Sequence, residues 1–416
     1  MKIFKFGGAS VKDAEGVKNV VNVLEATGSK NKVAVVSAMG KTTNALEVVV
    51  NDYLYTSDFR PSLQVVKEYH QDIMSGLFEN PQDPVFEKVK ELFRELENFL
   101  RHNRSEKYDF VYDQVVCFGE LISTAIVSDY LLQRGIKNEW KDARSLIKTD
   151  STYRDVQVDW DETQELISRG VNKETLTVTQ GFIGSDLNNF TTTLGREGSD
   201  YTAAIFAYCL NAQEVTIWKD VPGVLNGDPR VFENTQLLNQ ISYEEAIELA
   251  FFGASVIHPK TLQPLQRKEI PLYVKSFLNP LNEGTAVSKG HKIQPLIPCF
   301  IVKKNQVLIS LSSLDFSFMV EENISEIFRL FHKYQMKVDL IQNSAISFSV
   351  CVDNKFNNLE KLISHLRARF KVNFIQGVSL YTIRHFNASA LEILERDREV
   401  LLKQVTQETV QIVTRS

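Results

Sequence analysis

Met1-Lys2-Ile3-Phe4-Lys5-Phe6-Gly7-Gly8-Ala9-Ser10 opens the chain. A short β-prone run ends in a lysine, a glycine pair and a serine, the layout of a strand feeding an anion-binding turn. Glycine lets backbone N–H groups approach an anion, a helix start beyond the turn favours negative charge, and Lys5 adds a cation. With no leader ahead of it, the fold is expected to begin at a nucleotide site. Taken alone, the motif also reads as an ordinary tight turn. The next two segments decide the fold: Ala14–Ala26 has a helical apolar pattern and Lys32–Ser37 is a second apolar strand. With the opening strand they make a βαβ unit, which requires a parallel sheet with a right-handed crossover.

Thr175–Gln180, Glu214–Trp218 and Leu272–Val274 read as further strands, each closing a helical stretch. Residues 51–105 are polar, helical in period and without a strand signal, as in Val85–Leu100. They are expected to form a helical insertion in a domain spanning 1–285, with His70 and His102 solvated. Breakers crowd Leu278–Pro298, and 286–305 is expected to be a linker. Beyond it, strands Gln306–Ser312, Lys337–Ile341, Ala345–Asp353 and Lys371–Gln376 alternate with helices Ile324–Tyr334 and Leu359–Phe370. That βαββαβ order over 306–377 is ferredoxin-like. Residues 378–416 give a strand (Ser379–Phe386), a helix (Ala388–Gln404) and a strand (Thr409–Thr414), a truncated β-α-β unit. The expected class is α/β: an open, mainly parallel sheet sandwiched by helices, followed by an α+β region.

Composition narrows the partners. A chain of 416 residues can bury the cores of two or three domains. Its net charge of −5 argues against a nucleic-acid partner held by charge. Apolar runs fall short of the ~20 residues of a membrane span, and the N-terminus lacks a signal-peptide pattern. Cys117, Cys209, Cys299 and Cys351 are far apart with no CxxC spacing, as for buried thiols in a reducing cytoplasm.

Five polar, glycine-containing segments fall where strands are expected to end, the ligand-binding edge of a parallel sheet. Lys5–Ser10 is the first. In the second, Val36–Asn44, Ser37 and Thr43 could donate to a carboxylate or phosphate, although Thr42 or Thr43 could simply cap a helix. In Phe118-Gly119-Glu120, the carboxylate could hold an ammonium or serve a helix's first turn. Gln180-Gly181-Phe182-Ile183-Gly184 followed by Thr191–Asp200 is the most specific. Its glycines form a backbone cradle, a helix begins near Ser199, and Arg196 suits a planar carboxylate. Asp200 could be only a helix-start acid. The fifth, Trp218–Arg230, is a long loop with turns at Pro222-Gly223 and Gly227-Asp228-Pro229, suited to nucleotide contacts. No sequence-local metal cluster or Ser-His-Asp arrangement stands out, and His258 reads as structural.

Lys5-Phe6-Gly7-Gly8, Phe118-Gly119-Glu120, Gln180-Gly181-Phe182, Thr192–Asp200, Trp218–Arg230, Phe252-Gly253-Ala254 and His258-Pro259 together resemble the aspartate kinases of the amino-acid kinase family. The ferredoxin-like region resembles the ACT domain used for feedback control there. The resemblance implies ATP-dependent phosphorylation of the L-aspartate side-chain carboxylate, the first step towards lysine, threonine and methionine. It implies Lys5, Gly8 and Asp200 as catalytic, and Lys5, Gly7, Gly8, Ser10, Lys219, Asp220, Leu225 and Arg230 as the ATP site. Arg196 would clamp the substrate α-carboxylate and Glu120 its ammonium, with Ser37, Thr43, Phe182 and Ser199 around it. Mg²⁺ would arrive with ATP. A glutamate-type amino-acid kinase and a catalytically weak regulatory homologue are the alternatives.

Several positions depart from that family's usual pattern: Ala9 for Thr, Glu197 for Gly, Lys219 for Thr, Ser255 for a frequent Lys, and Leu225 for a common aromatic. Lys219 is expected to replace the charge missing at Ser255. Val338, Asp339 and Ser344 resemble an effector-binding segment, with Asp339 facing the ammonium of lysine or threonine. A homodimer through the C-terminal ACT region is expected, in the cytoplasm.

Overall fold

Ile3, Phe4 and Phe6 are buried in β1 (Lys2–Phe6), and every residue of β2 (Lys32–Val36) is buried. Between them, α1 (Ala14–Thr27) buries Val17, Val20, Val21 and Leu24 at helical spacing, and Asp13 caps it by accepting from the Gly16 N–H at 2.8 Å. The structure, a computed structural model, describes every residue except Ser57, Ser255, Val256, His291, Phe316, Asp397 and Ser416. It divides into two compact units. One comprises Met1–Val224, Leu237–Ile247 and Ile257–Ile293; the other comprises Leu225–Gln236, Glu248–Val256 and Gln294–Ser416.

In the first unit, β2 is followed by α2 (Thr42–Asn51), α3 (Arg60–Leu77), α4 (Pro84–His102) and α5 (Tyr108–Gln133) with no described strand between them. His70, expected in solvent, is fully buried on α3. One ring nitrogen lies 2.8 Å from the Val66 carbonyl, and the ring meets Tyr69 and Phe93 edge-on. The helical period pointed there, since His70 shares a face with the buried Leu63, Val66, Ile73 and Leu77. His102 is exposed, as expected.

Val115–Phe118 is not the end of a strand. It lies within α5, which is buried on nearly all sides, so no amphipathic period shows in its sequence. α5 is also long and apolar enough to cross a membrane, contrary to expectation, but most of it is buried inside the protein.

The chain continues through β3 (Asn138–Lys141), α6 (Trp160–Gly170), β4 (Leu176–Gln180), the hairpin of β5 (Ile183–Ser185) and β6 (Thr191–Thr193), and α7 (Gly198–Leu210). Then come β7 (Glu214–Lys219), β8 (Gln240–Ser242), α8 (Tyr243–Phe252), α9 (Pro259–Arg267), β9 (Leu272–Ser276) and β10 (Thr285–Ser288). The main sheet has the order β3-β4-β2-β1-β7-β9-β10-β8. It is parallel from β3 to β9, and β10 turns antiparallel. Phe6 is in register with Val36 and Trp218, and Val36 with Gln180. The carboxyl ends of four strands are therefore level, and their loops leave along one edge.

The second unit contains β11 (Cys299–Ser313), α10 (Glu321–Lys333), β12 (Lys337–Asn343), β13 (Ser347–Asp353), α11 (Leu359–Leu366), β14 (Phe370–Arg384), α12 (Ala388–Glu395), β15 (Val400–Val405) and β16 (Thr409–Arg415). Its antiparallel sheet has the order β12-β13-β11-β14-β16-β15. Val307, Ile309 and Leu311 of β11 share a core with Ile327 and Phe331 of α10 and Leu362 and Leu366 of α11, giving the βαββαβ set.

The rest of this unit departs from expectation. Strand residues occupy part of 286–305: most of β10 and the start of β11. The strands expected at Lys371–Gln376 and Ser379–Phe386 are one strand, β14. The helix expected over Ala388–Gln404 ends at Glu395, and the chain returns as β15. Cys299–Lys303 pairs with Leu380–Arg384 of β14, whereas only Val307–Ser312 of β11 pairs with β13. A strand preceding the first ferredoxin-like set therefore completes a second set of four with β14, β16 and β15. The tail looked truncated because its fourth strand lies N-terminal to the set it closes.

Candidate active site

The turn after β1 closes against the turn after β2. A Cβ on Gly8 would stand 2.8 Å from the Ala38 carbonyl oxygen and 2.9 Å from that of Gly40, so only glycine permits the approach. The Gly40 N–H then donates to the Gly8 carbonyl at 3.0 Å. Gly181 does the same after β4, where a Cβ would meet the Ser199 side chain at 2.4 Å. Three strand ends and the start of α7 are thereby drawn together.

They enclose a cavity of about 280 Å³ lined by Lys5, Gly8, Ser37, Thr43, Glu120, Phe182, Ser199 and Asp200, together with Ala38, Gly40, Gly195, Glu197 and Gly198. Lys5 Nζ lies 2.7 Å from Asp200 Oδ1, with both side chains largely buried. Asp200 sits in the first turn of α7, where free backbone N–H groups favour negative charge. Lys5 thus supplies a held cation on the cavity wall, beside a helix N-terminus.

Glu120 projects from the middle of α5, not from a first turn. It is buried, and Oε1 accepts weakly from the Ala38 N–H at 3.4 Å. Oε2 has no hydrogen-bond partner among the described residues. Burial pushes the carboxyl up to about 8, with only the hydrogen bonds opposing. A lone buried carboxylate facing a cavity is suited to an incoming cation, which would satisfy Oε2 and restore the charge.

All three residues expected as catalytic line the cavity, as do five of the six expected around the substrate; the sixth, Arg196, is exposed. Gly7, Ser10, Lys219 and Asp220 lie outside the lining. Ser10 is buried, with its hydroxyl donating to the Trp218 carbonyl at 3.4 Å. Leu225 and Arg230 fall in the second unit, where Arg230 is paired with Asp228 at 2.7 Å. Ser255 lies outside the described residues. Neither Thr42 nor Thr43 caps α2; the Thr42 hydroxyl donates to the Met39 carbonyl at 2.6 Å. His258 is structural as expected: its ring accepts from the Lys260 N–H at 3.2 Å and caps α9.

In the second unit, Asp339 is half-buried at a β-bulge between Val338 and Leu340, and its side chain pairs with Lys303 at 2.8 Å and Lys337 at 3.4 Å. Val338 packs against the helix-side core, and Ser344 is exposed with its hydroxyl 2.7 Å from that of Ser347.

Residues passed over in the sequence hold the specific loop in place. Asp113 Oδ2 accepts from the backbone N–H groups of Arg154 at 3.0 Å and Thr193 at 2.8 Å, and Oδ1 accepts from the Thr193 hydroxyl at 2.7 Å. Burial pushes its carboxyl up to about 6 against those hydrogen bonds. Gln114 bonds both backbone groups of Thr191, like an added strand. Lys260 reaches the Leu194 carbonyl at 3.1 Å and Asp155 at 2.6 Å. An acid and an amide together inside an apolar helix, Asp113-Gln114, were the available signal.

The sequence model of the amino acid kinase family matches residues 1–276. The lysine-sensitive aspartokinase 3 of Escherichia coli (strain K12) is 30% identical over 393 residues, covering 92% of this chain and 86% of that protein. The crystal structure of E. coli aspartokinase III in complex with aspartate and ADP (R-state) superposes with a TM-score of 0.82 at 28% identity, covering 100% of this chain and 96% of that one. The same enzyme in complex with lysine and aspartate (T-state) gives 0.83 at 28% identity, covering 99% and 95%.

Proposed function

Because the chain belongs to the amino acid kinase family and, within it, to the aspartokinases, we infer that it transfers the γ-phosphoryl group of ATP to the side-chain carboxylate of L-aspartate. The product is 4-phospho-L-aspartate, the entry to lysine, threonine and methionine. The observation that carries this reading is one cavity holding both the Lys5–Asp200 pair and the unpartnered Glu120 Oε2.

The chemistry needs little beyond positioning and charge. Glu120 takes the aspartate ammonium, and Arg196 takes the α-carboxylate from the rim. Ser37, Thr43, Phe182 and Ser199 close around the side chain. The aspartate β-carboxylate is ionised at neutral pH, so no general base is required. One of its oxygens forms the new bond to the γ-phosphorus as the bond to the β,γ-bridging oxygen breaks, and ADP leaves with that electron pair. Lys5, held by Asp200, and the backbone N–H groups at Gly8 and the start of α7 neutralise the charge on the transferring group.

The nucleotide side is read on Lys5, Gly7, Gly8, Ser10, Lys219 and Asp220 of the first unit. On this reading Lys219→Met raises KM for ATP. Mg²⁺ would neutralise phosphate charge when bound. Asp200, which lines the cavity beside Lys5, is the carboxylate that would face such a metal.

Val338, Asp339 and Ser344 are read as part of a site for an amino-acid inhibitor, lysine first. The support is the bulge that re-aims the Asp339 side chain, and the lysine bound by the E. coli enzyme. A homodimer through the same unit is supported by exposed Phe318, Val320 and Ile346, brought close by the hydrogen bond from the Met319 N–H to the Ala345 carbonyl at 2.9 Å. Four buried cysteines, far apart in sequence, fit a cytoplasmic setting.

Trapping the acyl phosphate with hydroxylamine tests the function. Aspartyl hydroxamate should form with ATP and L-aspartate and not with L-glutamate; hydroxamate from glutamate alone would overturn the reading.

A further inference from the structure

Asp339 is half-buried with a side chain only 5% exposed, and its carboxylate is already occupied. The ammonium of Lys303 lies 2.8 Å from Oδ1, and the exposed Lys337 lies 3.4 Å from the same atom. The backbone is shaped for the first of these contacts at both ends. Asp339 stands at the bulge in β12, and Lys303 is the last regular partner of Leu380 before the irregularity that leads to Gln306. Bulges turn a side chain away from the direction its strand would dictate. Next along β11, the buried Gln306 keeps Oε1 without a hydrogen-bond partner among the described residues.

The Lys303 stem has its own support. Its Cε runs against Gly253, where a Cβ would come within 2.6 Å, and Nζ also lies 3.5 Å from the Phe251 carbonyl at the end of α8. A helix C-terminus is a favourable place for a cation. The Lys303 ammonium therefore touches the end of α8 while it pairs with Asp339, and that contact can hold it when it leaves the carboxylate.

We propose that Lys303 is a built-in competitor for the effector's ammonium: its side chain occupies Asp339 in the free protein, and an α-amino acid carrying a free ammonium binds by displacing it towards the end of α8. This rests on the reading of Asp339 as an effector residue. A competitor tethered in the same chain weakens the ligand by the fraction of time the site is free. If Asp339 is free about one-tenth of the time, removing the competitor tightens binding about tenfold.

The test is calorimetric titration of the full-length protein with L-lysine and, separately, L-threonine. Lys303→Met should bind the effector about tenfold more tightly than wild type, Lys303→Arg should bind like wild type, and Asp339→Asn should lose binding in either background. Lys303→Gln serves as a second neutral variant should the methionine protein fail to fold. Wild-type binding with unchanged or weaker affinity in the neutral variants overturns the competitor and leaves the effector site standing. No binding of either amino acid by wild type and neutral variants alike, or full affinity in Asp339→Asn, overturns the effector reading and the competitor with it.

Discussion

Glu197 Oε2 accepts the backbone N–H of His258 at 2.9 Å, tying the turn before α7 to the start of α9. Glu197 does this from a left-handed backbone, φ 54°, at the N-cap of α7. That conformation fits the glycine usual at this position in the resembling family. It costs a residue with a Cβ roughly 1–2 kcal/mol, and the carboxylate–amide bond across the cavity rim offsets it.

Substitutions at Glu197 should separate the two effects. Glu197→Gly loses the tether and the strain together, and should unfold within about 1 kcal/mol of wild type. Glu197→Ala loses the tether and keeps the strain, so it should be less stable than the glycine variant by about 1 kcal/mol. Urea unfolding of the three proteins gives the order, and an alanine variant as stable as the glycine one would contradict this account.

Removing the cavity cation should damage turnover more than binding. Lys5→Met should lower kcat about 10²–10³-fold, the scale of losing one donor to developing charge, with KM for aspartate nearly unchanged. Asp200→Asn should fall in the same direction by less. Steady-state kinetics on both variants measure the split; a large rise in KM with intact kcat would assign Lys5 to ground-state binding.

On the proposed function, Glu120 should link substrate binding to pH stability. Its folded carboxyl lies near 8, above the 4.5 of the unfolded chain. Between those values the folded protein retains a proton that the unfolded chain has released, so stability declines as pH rises through the window. Glu120→Gln escapes that decline and should gain roughly 2–4 kcal/mol over wild type at pH 8. It should also raise KM for aspartate about 10–100-fold. Urea melts at pH 5.5 and 8 check the first, initial-rate kinetics the second.

His70 acts on the acid side. Burial lowers its folded pKa from 6.5 to about 4, so the unfolded chain binds the extra proton and stability is lost as pH falls from 6.5 towards 4. Wild type should lose about 2–3 kcal/mol more than His70→Gln across that window. Melting curves from pH 4.5 to 7 would show parallel profiles if His70 were not responsible.

The parallel strands were legible because each is a short apolar run bounded by polar turns, and β4 and β9 fall within a residue or two of expectation. The cavity was legible because glycines and hydroxyls cluster at those strand ends. α5 was not, since a helix buried all round has no polar face to reveal its period. β14 was divided at Gly377, a left-handed glycine that the strand absorbs as an irregularity opposite β11. The role of Asp113 was hidden because its partners, Arg154 and Thr193, are distant in sequence. The reason for Glu197 lay in a backbone angle, which residue identity does not carry.

Lys303 and Leu380 are register partners, so the chain leaves one four-stranded set and re-enters it at adjacent points of a single ladder. The βαββαβ set is a guest spliced into a host. Replacing residues 304–379 with an Asn-Gly turn would join the two host strands as a hairpin. Of the host's ladder, Leu380–Arg384 against β16 and β16 against β15 lie outside the removed segment, while Leu380, Leu402 and Val413 would lose the core they share with Leu308, Leu340 and Cys351. On the effector reading proposed above, an element mounted this way can be exchanged by recombination at one site, with Lys303 the host residue that meets each new guest at Asp339.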